Sequence, residues 1–315
     1  MGPPFEVLKN HGIKTYSYSG LFVHSMSPKS VFFIDTKLAY FTRSKFWSEY
    51  KETPVNEKMK QKVKEFFDSR TKCSAVDLKI CFDGKKINSF KTIKSKEYKY
   101  HVAMFPHVIF DGNIPDRHIV FKDYLDWMIS TINYFKNRND IKLYIKSHPA
   151  ELIFCKTTPK VLEILNKYVD LKSMKNIVTI PPEKTINTYE FLKSGIDLGL
   201  VYDNFLAVEM PYLKIPSITC IKGGSFTVKD GNFTIANREE YFNYLDNIEN
   251  IIEEFHSNYE SKYHKNIIRY IYWYLYENKF NLPIILYQND NLSYNLFALK
   301  KTDFNLDNVL LKFFN

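Results

Sequence analysis

From residue 100 onward, apolar and polar positions follow two alternating periods, one short and strand-like, the other helical. "HVAMFPHVIF" reads as a mostly apolar strand that stops at the turn Asp111-Gly112-Asn113. "KDYLDWMISTINYFKN" follows, with Leu125, Met128, Ile129, Ile132 and Phe135 on one helical face and Asp123 near its start. "KLYIKS", "NIVTI", "DLGLVY" and "PSITC" read as further strands. Between them lie "TPKVLEILNKYV", a helix with Pro159 expected in its first turn, "INTYEFLKSG", closed by Gly195, and the short helix "FLAVEMPYLK". Strands that alternate with helices predict an α/β fold, a doubly wound parallel sheet joined by right-handed crossovers.

The flanks are less regular. Upstream, "KTYSYSGLFVHS" and "SVFFIDT" each hold a short strand candidate. "NEKMKQKVKEFFDSR" is a helix with Met59, Val63, Phe66 and Phe67 on one side, and Lys85 to Lys99 reads as an exposed connection with a weak strand inside. Downstream, "REEYFNYLDNIENIIEEF" reads as one helix, and "KYHKNIIRYIYWYLYENKF" as an aromatic helix apolar nearly all round, hence packed between elements. The expected division is an N-terminal part over 1–100, a Rossmann-like domain over 101–260, and C-terminal helices over 261–315 that pack back across both.

Composition narrows the function. Of 315 residues, 45% are hydrophobic and 25% charged, the balance of a soluble globular protein. The net charge of +9 favours an anionic partner, but the lysines are spread along the chain and no nucleic-acid-binding motif occurs, so nucleic acid is not expected. Cys73, Cys81, Cys155 and Cys220 lie far apart without a C-x-x-C pair, which argues against disulfides and structural zinc and for a reducing, cytoplasmic setting. Cys155 and Cys220 sit among apolar residues, as core thiols do. No apolar window is long enough to span a bilayer, and "MGPPFEVLKN" lacks a secretory signal's apolar core.

Ligands of open parallel sheets bind outside the carboxyl ends of the strands. Four polar stretches fall there: Asp111-Gly112-Asn113, Lys146 to Glu151 ("KSHPAE"), Asp203-Asn204 and Gly223-Gly224-Ser225. An imidazole such as His148 can donate to a phosphate oxygen, Lys146 adds positive charge, and helices that start after these loops aim free N–H groups at an anion. Glu209, one turn into the short helix, can accept from a ribose diol. The competing reading of each is structural, a turn-satisfying His148 and a helix-dipole Glu209.

At these residues the sequence resembles the bacterial capsule polysaccharide biosynthesis glycosyltransferases of GT-B architecture. The likeness runs from "FPHVIFDGN" through "YLDWMISTINYF", "YIKSHPAE" and "PPEKTINTYEFLKSGIDLGLVYDNFLAVEMPYLKIPSITC". It continues in "GGSFTVKDGNFTIANREEYFNYLD" and "IRYIYWYLYENKFNLPI". The resemblance implies a transferase that moves a sugar from a nucleotide-sugar onto a surface polysaccharide or its lipid-linked acceptor. By position, His148 would contact a donor phosphate and Glu209 the nucleoside. Lys146 and Glu151 would flank that site, Asp203 and Asn204 would lie at its phosphate end, and Thr227 and Lys229 would line its mouth. Asp111, with His107 behind it, is the candidate acceptor base. The family needs no cofactor and no metal, and its acceptor draws the basic surface to peripheral contact with an anionic inner membrane.

The sequence departs from the family pattern twice. Tyr202-Asp203-Asn204 stands where small hydroxyl residues are usual, and Lys214 where a Gly makes the turn into the Ile-Pro strand. Fewer than 100 residues precede the first regular strand, so the N-terminal part is expected to be smaller than a full GT-B domain, or incomplete. Two other readings accompany the transferase. One is a catalytically degenerate binding subunit of a polysaccharide-synthesis complex; the other is a sugar-nucleotide epimerase or polyol-phosphate transferase on the same scaffold.

Overall fold

The structure, a computed structural model, describes residues 3–15, 17–20, 30–34, 41–72, 97–110, 120–221, 223–278 and 280–281. Asp111-Gly112-Asn113, Cys73, Cys81 and most of the Lys85–Lys99 connection lie outside the described residues. Helix α1 (Pro3–Asn10) and strands β1 (Ser17–Gly20) and β2 (Ser30–Ile34) precede α2 (Lys45–Tyr50) and α3 (Glu57–Thr71). The regular part is β3 (Tyr100–Phe105), α4 (Tyr124–Phe135), β4 (Ile141–Lys146), α5 (Glu151–Phe154), α6 (Val161–Leu165), β5 (Ile177–Ile180), α7 (Thr188–Lys193), β6 (Leu198–Val201), α8 (Leu206–Tyr212), β7 (Ser217–Thr219) and β8 (Phe233–Thr234). Then come α9 (Arg238–Asp246), α10 (Ile248–Ser257), α11 (His264–Tyr272) and β9 (Phe280–Asn281).

The expected parallel sheet is present. Six strands pair in the order β5-β4-β3-β6-β7-β8, all parallel. The chain winds outward one way from β3 and the other way from β6, so the topological switch lies between those two strands. Successive side chains of a strand face opposite sides, and the core obeys this. Ala103, Phe105, Tyr144 and Val201 pack with α3, α7, α8 and α11 on one face. Val102, Met104, Leu143, Ile145, Leu198 and Leu200 pack with α4, α6, α9 and α10 on the other. Three layers result, with the sheet buried in the middle.

β1, β2 and β9 form a separate three-stranded antiparallel sheet. Both upstream strand candidates are therefore strands. α3 has its predicted stripe, and the residues preceding β3 share a core with the main sheet through Phe41, Trp47, Met59, Val63, Phe66 and Phe67. Trp47 meets the edge of Tyr270 at a centroid distance of 5.0 Å and Trp273 at 5.2 Å, so the aromatic helix is core packing. Every residue from Tyr270 to Leu275 is buried, and π-helical turns at Tyr259–Tyr263 and Trp273–Glu277 flank α11.

Some expected boundaries shift. Pro159 lies ahead of α6 rather than in its first turn: Lys160 is the cap, its N–H bonded to Glu163 Oε2 at 3.2 Å. The long acidic helix is two helices, because Asn247 leaves helical geometry and its side-chain amide donates to Asn243 O. β8 and α2 carry no clear period, and sequence reading passes over them.

Helix α8 shows how local chemistry makes the fold. Pro211 inside it cannot donate to Ala207 O. That carbonyl instead accepts from Ser217 Oγ at 2.8 Å and Asn232 Nδ2 at 2.9 Å, which ties the helix to β7 and the approach to β8. Gly199 lets α8 lie against the sheet, since a Cβ there would meet Met210 Sδ at 2.1 Å. The helix ends in a Schellman motif: Ile215 N donates to Met210 O and Lys214 N to Pro211 O. Lys214 takes the left-handed conformation, φ 64°, that this motif demands. The tight turn into β7 thus survives without glycine.

Candidate functional site

The switch between β3 and β6 places the crevice of an open sheet at their carboxyl ends. Asn204 spans those two ends, donating from Nδ2 to Phe105 O at 3.2 Å while its Oδ1 accepts from Leu206 N at the start of α8. β4 lies beside β3, so the loop from Lys146 to Glu151 opens on the same edge of the sheet.

Within that loop the residues divide. His148 is exposed, and its Nδ1 accepts the N–H of Ala150 at 3.1 Å. A backbone N–H can only donate, so Nδ1 carries the lone pair and the neutral ring keeps its proton on Nε2. Lys146, at the last position of β4, is buried. Glu151 is fully buried and points into the fold: Oε1 accepts from Val161 N at 3.0 Å, which starts α6. Burial pushes its carboxyl above the usual range. Glu151 Oε2 and Ser147 Oγ are buried without a hydrogen-bond partner among the described residues.

Asp203 follows β6, and its side chain is turned along the sheet edge. Its two oxygens accept from Ser225 N and Phe226 N, each at 3.1 Å. The carboxylate thereby organises the Gly223–Phe226 turn. Gly224 is needed for this approach, since a Cβ there would stand 2.8 Å from the Asp203 carboxyl carbon. The same turn is held from other directions. Thr42 Oγ1 donates to Gly224 O at 2.8 Å, the Tyr270 hydroxyl donates to Ser225 O, and Thr227 Oγ1 accepts from Gly224 N at 2.9 Å. The Arg43 guanidinium lies against Gly223, whose φ is 62°. Thr227 is therefore part of the turn's framework, and Lys229 beyond it is exposed.

Glu209 on α8 is 2% exposed. Arg70 Nε lies 2.6 Å from its Oε1, and the Tyr189 hydroxyl donates to the same oxygen at 2.6 Å. Phe66 and Phe205 flank the guanidinium, and burial beside Glu209 drives the Tyr189 hydroxyl well above its ordinary range. Asn187, the cap of α7, also donates to Thr71 O, so the end of α3 is fastened to α7 and α8 together. Arg70, Tyr189, Thr42 and Arg43 do not emerge from sequence reading. Arg70 left one trace there: it continues the stripe Met59, Val63, Phe66, Phe67, and a charge on a buried face needs a buried partner.

The described edge thus brings together His107, Lys146, Ser147, His148, Tyr202, Asp203 and Asn204. Glu209 and Glu151 lie in the interior, and Asp111 is outside the described residues. Cys155 and Cys220 are buried free thiols. Among the described residues no three His, Cys, Asp or Glu side chains group as a metal site, and no helix is long and apolar enough to cross a membrane.

The class defined by this architecture is an α/β protein with a doubly wound parallel sheet whose strand order switches between β3 and β6. No protein-family model and no curated protein sequence matches the chain. Among solved structures, it is similar to the β-Kdo 2,4-transferase of Thermosulfurimonas dismutans KpsC, with 12% identity and a TM-score of 0.49 over 75% of this chain and 70% of that one. It is similar also to the wall teichoic acid polymerase TagF, with 11% identity and a TM-score of 0.34 over 55% of this chain and 42% of that one. A third is the UDP-GlcNAc 2-epimerase of Methanocaldococcus jannaschii, with 18% identity and a TM-score of 0.32 over 49% of this chain and 39% of that one. The chain therefore covers less than half the length of the last two proteins.

Proposed function

We propose that the crevice at the carboxyl ends of β3, β4 and β6 binds the diphosphate of a nucleotide-sugar. The protein then transfers the sugar to a surface polysaccharide or its lipid-linked acceptor. The observation that carries this reading is the exposed His148 ring, held by Ala150 N–H with its proton on Nε2, one loop from the switch point. A fixed N–H donor suits a phosphate oxygen that gains negative charge as the glycosidic bond breaks. Lys146 adds a cation from the same loop, and Lys229 one at the mouth. The sequence resemblance supplies the sugar-transfer chemistry.

Asp203 supports the transferase over the degenerate subunit. Its carboxylate is engaged by two backbone N–H groups, so it does not stand as an uncompensated charge in the path of a phosphate. Asn204 keeps the two switch strands together, and Glu151 orders the loop by starting α6. Glu209 reaches a ribose only if its pair with Arg70 opens on binding. The parts 1–100, 101–260 and 261–315 act in this reading as acceptor side, donor domain and packing helices. The reaction uses no cofactor or metal, and the protein works on the cytoplasmic side, at the surface of an anionic membrane.

Thermal-shift titration with CMP, CDP, GDP and UDP tests the donor reading. One nucleotide raises Tm by linkage of binding to folding, and His148→Ala removes the shift. No response to any of the four rejects the reading, and an unchanged shift in His148→Ala rejects the placement of the phosphate. Membrane contact is tested by co-sedimentation with vesicles of anionic lipid at low salt, where the protein is expected to be retained and released as salt rises.

A further inference from the structure

Helix α1 closes on a complete Schellman motif. Gly12 N donates to Lys9 O at 3.0 Å and Ile13 N to Leu8 O at 3.0 Å, while His11 N donates to Val7 O at 3.2 Å. Gly12 takes the left-handed conformation that the motif needs, φ 73°. The bond from Ile13 to Leu8 folds the chain back over the last helical turn. It brings Ile13 to the level of Leu8 and Val7, the two positions with which an apolar residue there makes the hydrophobic contact of this motif.

These three residues are not covered. Val7 is 54% exposed, Leu8 42% and Ile13 51%, and among the described residues they are half of the large hydrophobic side chains left at the surface. Single exposed apolar side chains are ordinary, whereas several gathered in one place mark a contact surface. Every residue from Val7 to Lys14 is exposed, and the stretch holds Lys9, His11 and Lys14 but no carboxylate. A surface that is apolar and cationic at once discriminates between occupants. A second copy of the chain meeting it about a two-fold axis would set lysine against lysine. An anionic bilayer satisfies both halves: the aliphatic side chains enter the acyl boundary, and the lysine stems lie along it with their ammonium groups at the phosphates.

We infer that the Schellman turn of α1 is the surface by which this protein docks on an anionic lipid bilayer. Val7, Leu8 and Ile13 enter the interface, and Lys9 and Lys14 meet the headgroup phosphates. This rests on the membrane contact of the proposed function and names the residues that make it. Three aliphatic side chains and two ammonium groups hold a protein reversibly, since a small apolar insertion needs the electrostatic attraction beside it. Nucleotide binding belongs to the loops after β3, β4 and β6, so docking and donor binding are separable by mutation.

The test uses the full chain with vesicles of mixed phosphatidylglycerol and phosphatidylcholine, and with phosphatidylcholine alone. The parent should partition onto the anionic vesicles and much less onto the neutral ones. Val7→Ser, Leu8→Ser and Ile13→Ser together should lower the partition coefficient about tenfold or more. Lys9→Gln with Lys14→Gln should lower it about tenfold at low salt and progressively less as salt rises. All five positions are exposed, so these variants should keep the parent's Tm. Penetration is read from Leu8→Trp. The three tryptophans of the chain, Trp47, Trp127 and Trp273, are buried, so brominated acyl chains should quench the new indole and leave the parent's emission almost unchanged. Retention of the triple serine variant equal to the parent's, or no quenching in vesicle-bound Leu8→Trp, overturns the inference and leaves membrane contact to another surface. Equal retention on neutral vesicles, or a dimer in solution that the triple serine variant abolishes, overturns the anionic bilayer as occupant. No retention of the parent removes the inference and the membrane contact together, while the nucleotide response, read separately by Tm, decides the donor reading.

Discussion

Arg70 and Glu209 form a buried ion pair, Nε to Oε1 at 2.6 Å, between a helix that precedes the parallel sheet and one that belongs to it. Both side chains are below one tenth exposed, so neither charge has water to fall back on. Removing one partner should cost about 3–5 kcal/mol, because the other is left buried and uncompensated. Arg70→Met is therefore expected to lower the urea midpoint sharply. The double variant Arg70→Met with Glu209→Leu should recover a large part of the loss. Equilibrium denaturation of both variants checks this, and a double variant no more stable than Arg70→Met would refute it.

Glu151 makes stability depend on pH in a direction opposite to most carboxylates. Burial raises its carboxyl in the folded chain above the ordinary glutamate value of 4.5. The stability it contributes is full below that value and is lost as pH rises through the folded-state value. Over that window each pH unit costs about 1.4 kcal/mol. Glu151→Gln, which keeps the acceptor for Val161 N and cannot ionise, should match the parent near pH 4 and exceed it in Tm progressively above that. Thermal melts from pH 4 to 8 test the sign.

Lys214 occupies the left-handed position of the Schellman motif, a conformation that costs a residue with a Cβ about 1–2 kcal/mol. Its ammonium sits over the Tyr259 ring at 5.0 Å and near Glu260, an exposed arrangement that returns a fraction of this. Lys214→Gly should be more stable than Lys214→Ala by about 1 kcal/mol, since both lose the ammonium and only alanine keeps the strain. Equal stability of the two variants would show that the turn relaxes.

Asp203→Ala should cost about 2–3 kcal/mol, because the N–H groups of Ser225 and Phe226 lose their acceptor in a buried turn. Asp203→Asn retains one carbonyl oxygen and should cost less. Hydrogen exchange of those two amides checks the cause: both should exchange faster in Asp203→Ala, and protection unchanged from the parent would mean that the turn is held by Thr42 and Tyr270 instead.

Much of the architecture was legible in the residues. The run from β3 to β7 follows from two periods, because strand alternation and helical stripes are consequences of local geometry. Asp123 and Gly195 mark helix ends through bonds or conformations confined to a few residues. β8 was not legible, since two residues carry no period, and the break at Asn247 was hidden because the stripe continues across it. His148 could be placed by its position after a strand, but Glu209 read the same way whether it faced a ligand or an arginine.

The sequence by itself determined the class of fold and the edge of the sheet on which polar residues gather, since both depend on contacts between near neighbours in the chain. Tertiary structure decided what those residues do. Arg70 meets Tyr189 across 119 positions and Asp203 meets Phe226 across 23, and no local period encodes such partners. The roles of the ring nitrogens depend on what each one faces, an N–H for His148 Nδ1 and a carbonyl for His107 Nδ1, which only the folded turns bring about. Burial then separates groups that look alike in the chain: Glu151 and Glu209 go to the interior, and His148 remains at the surface.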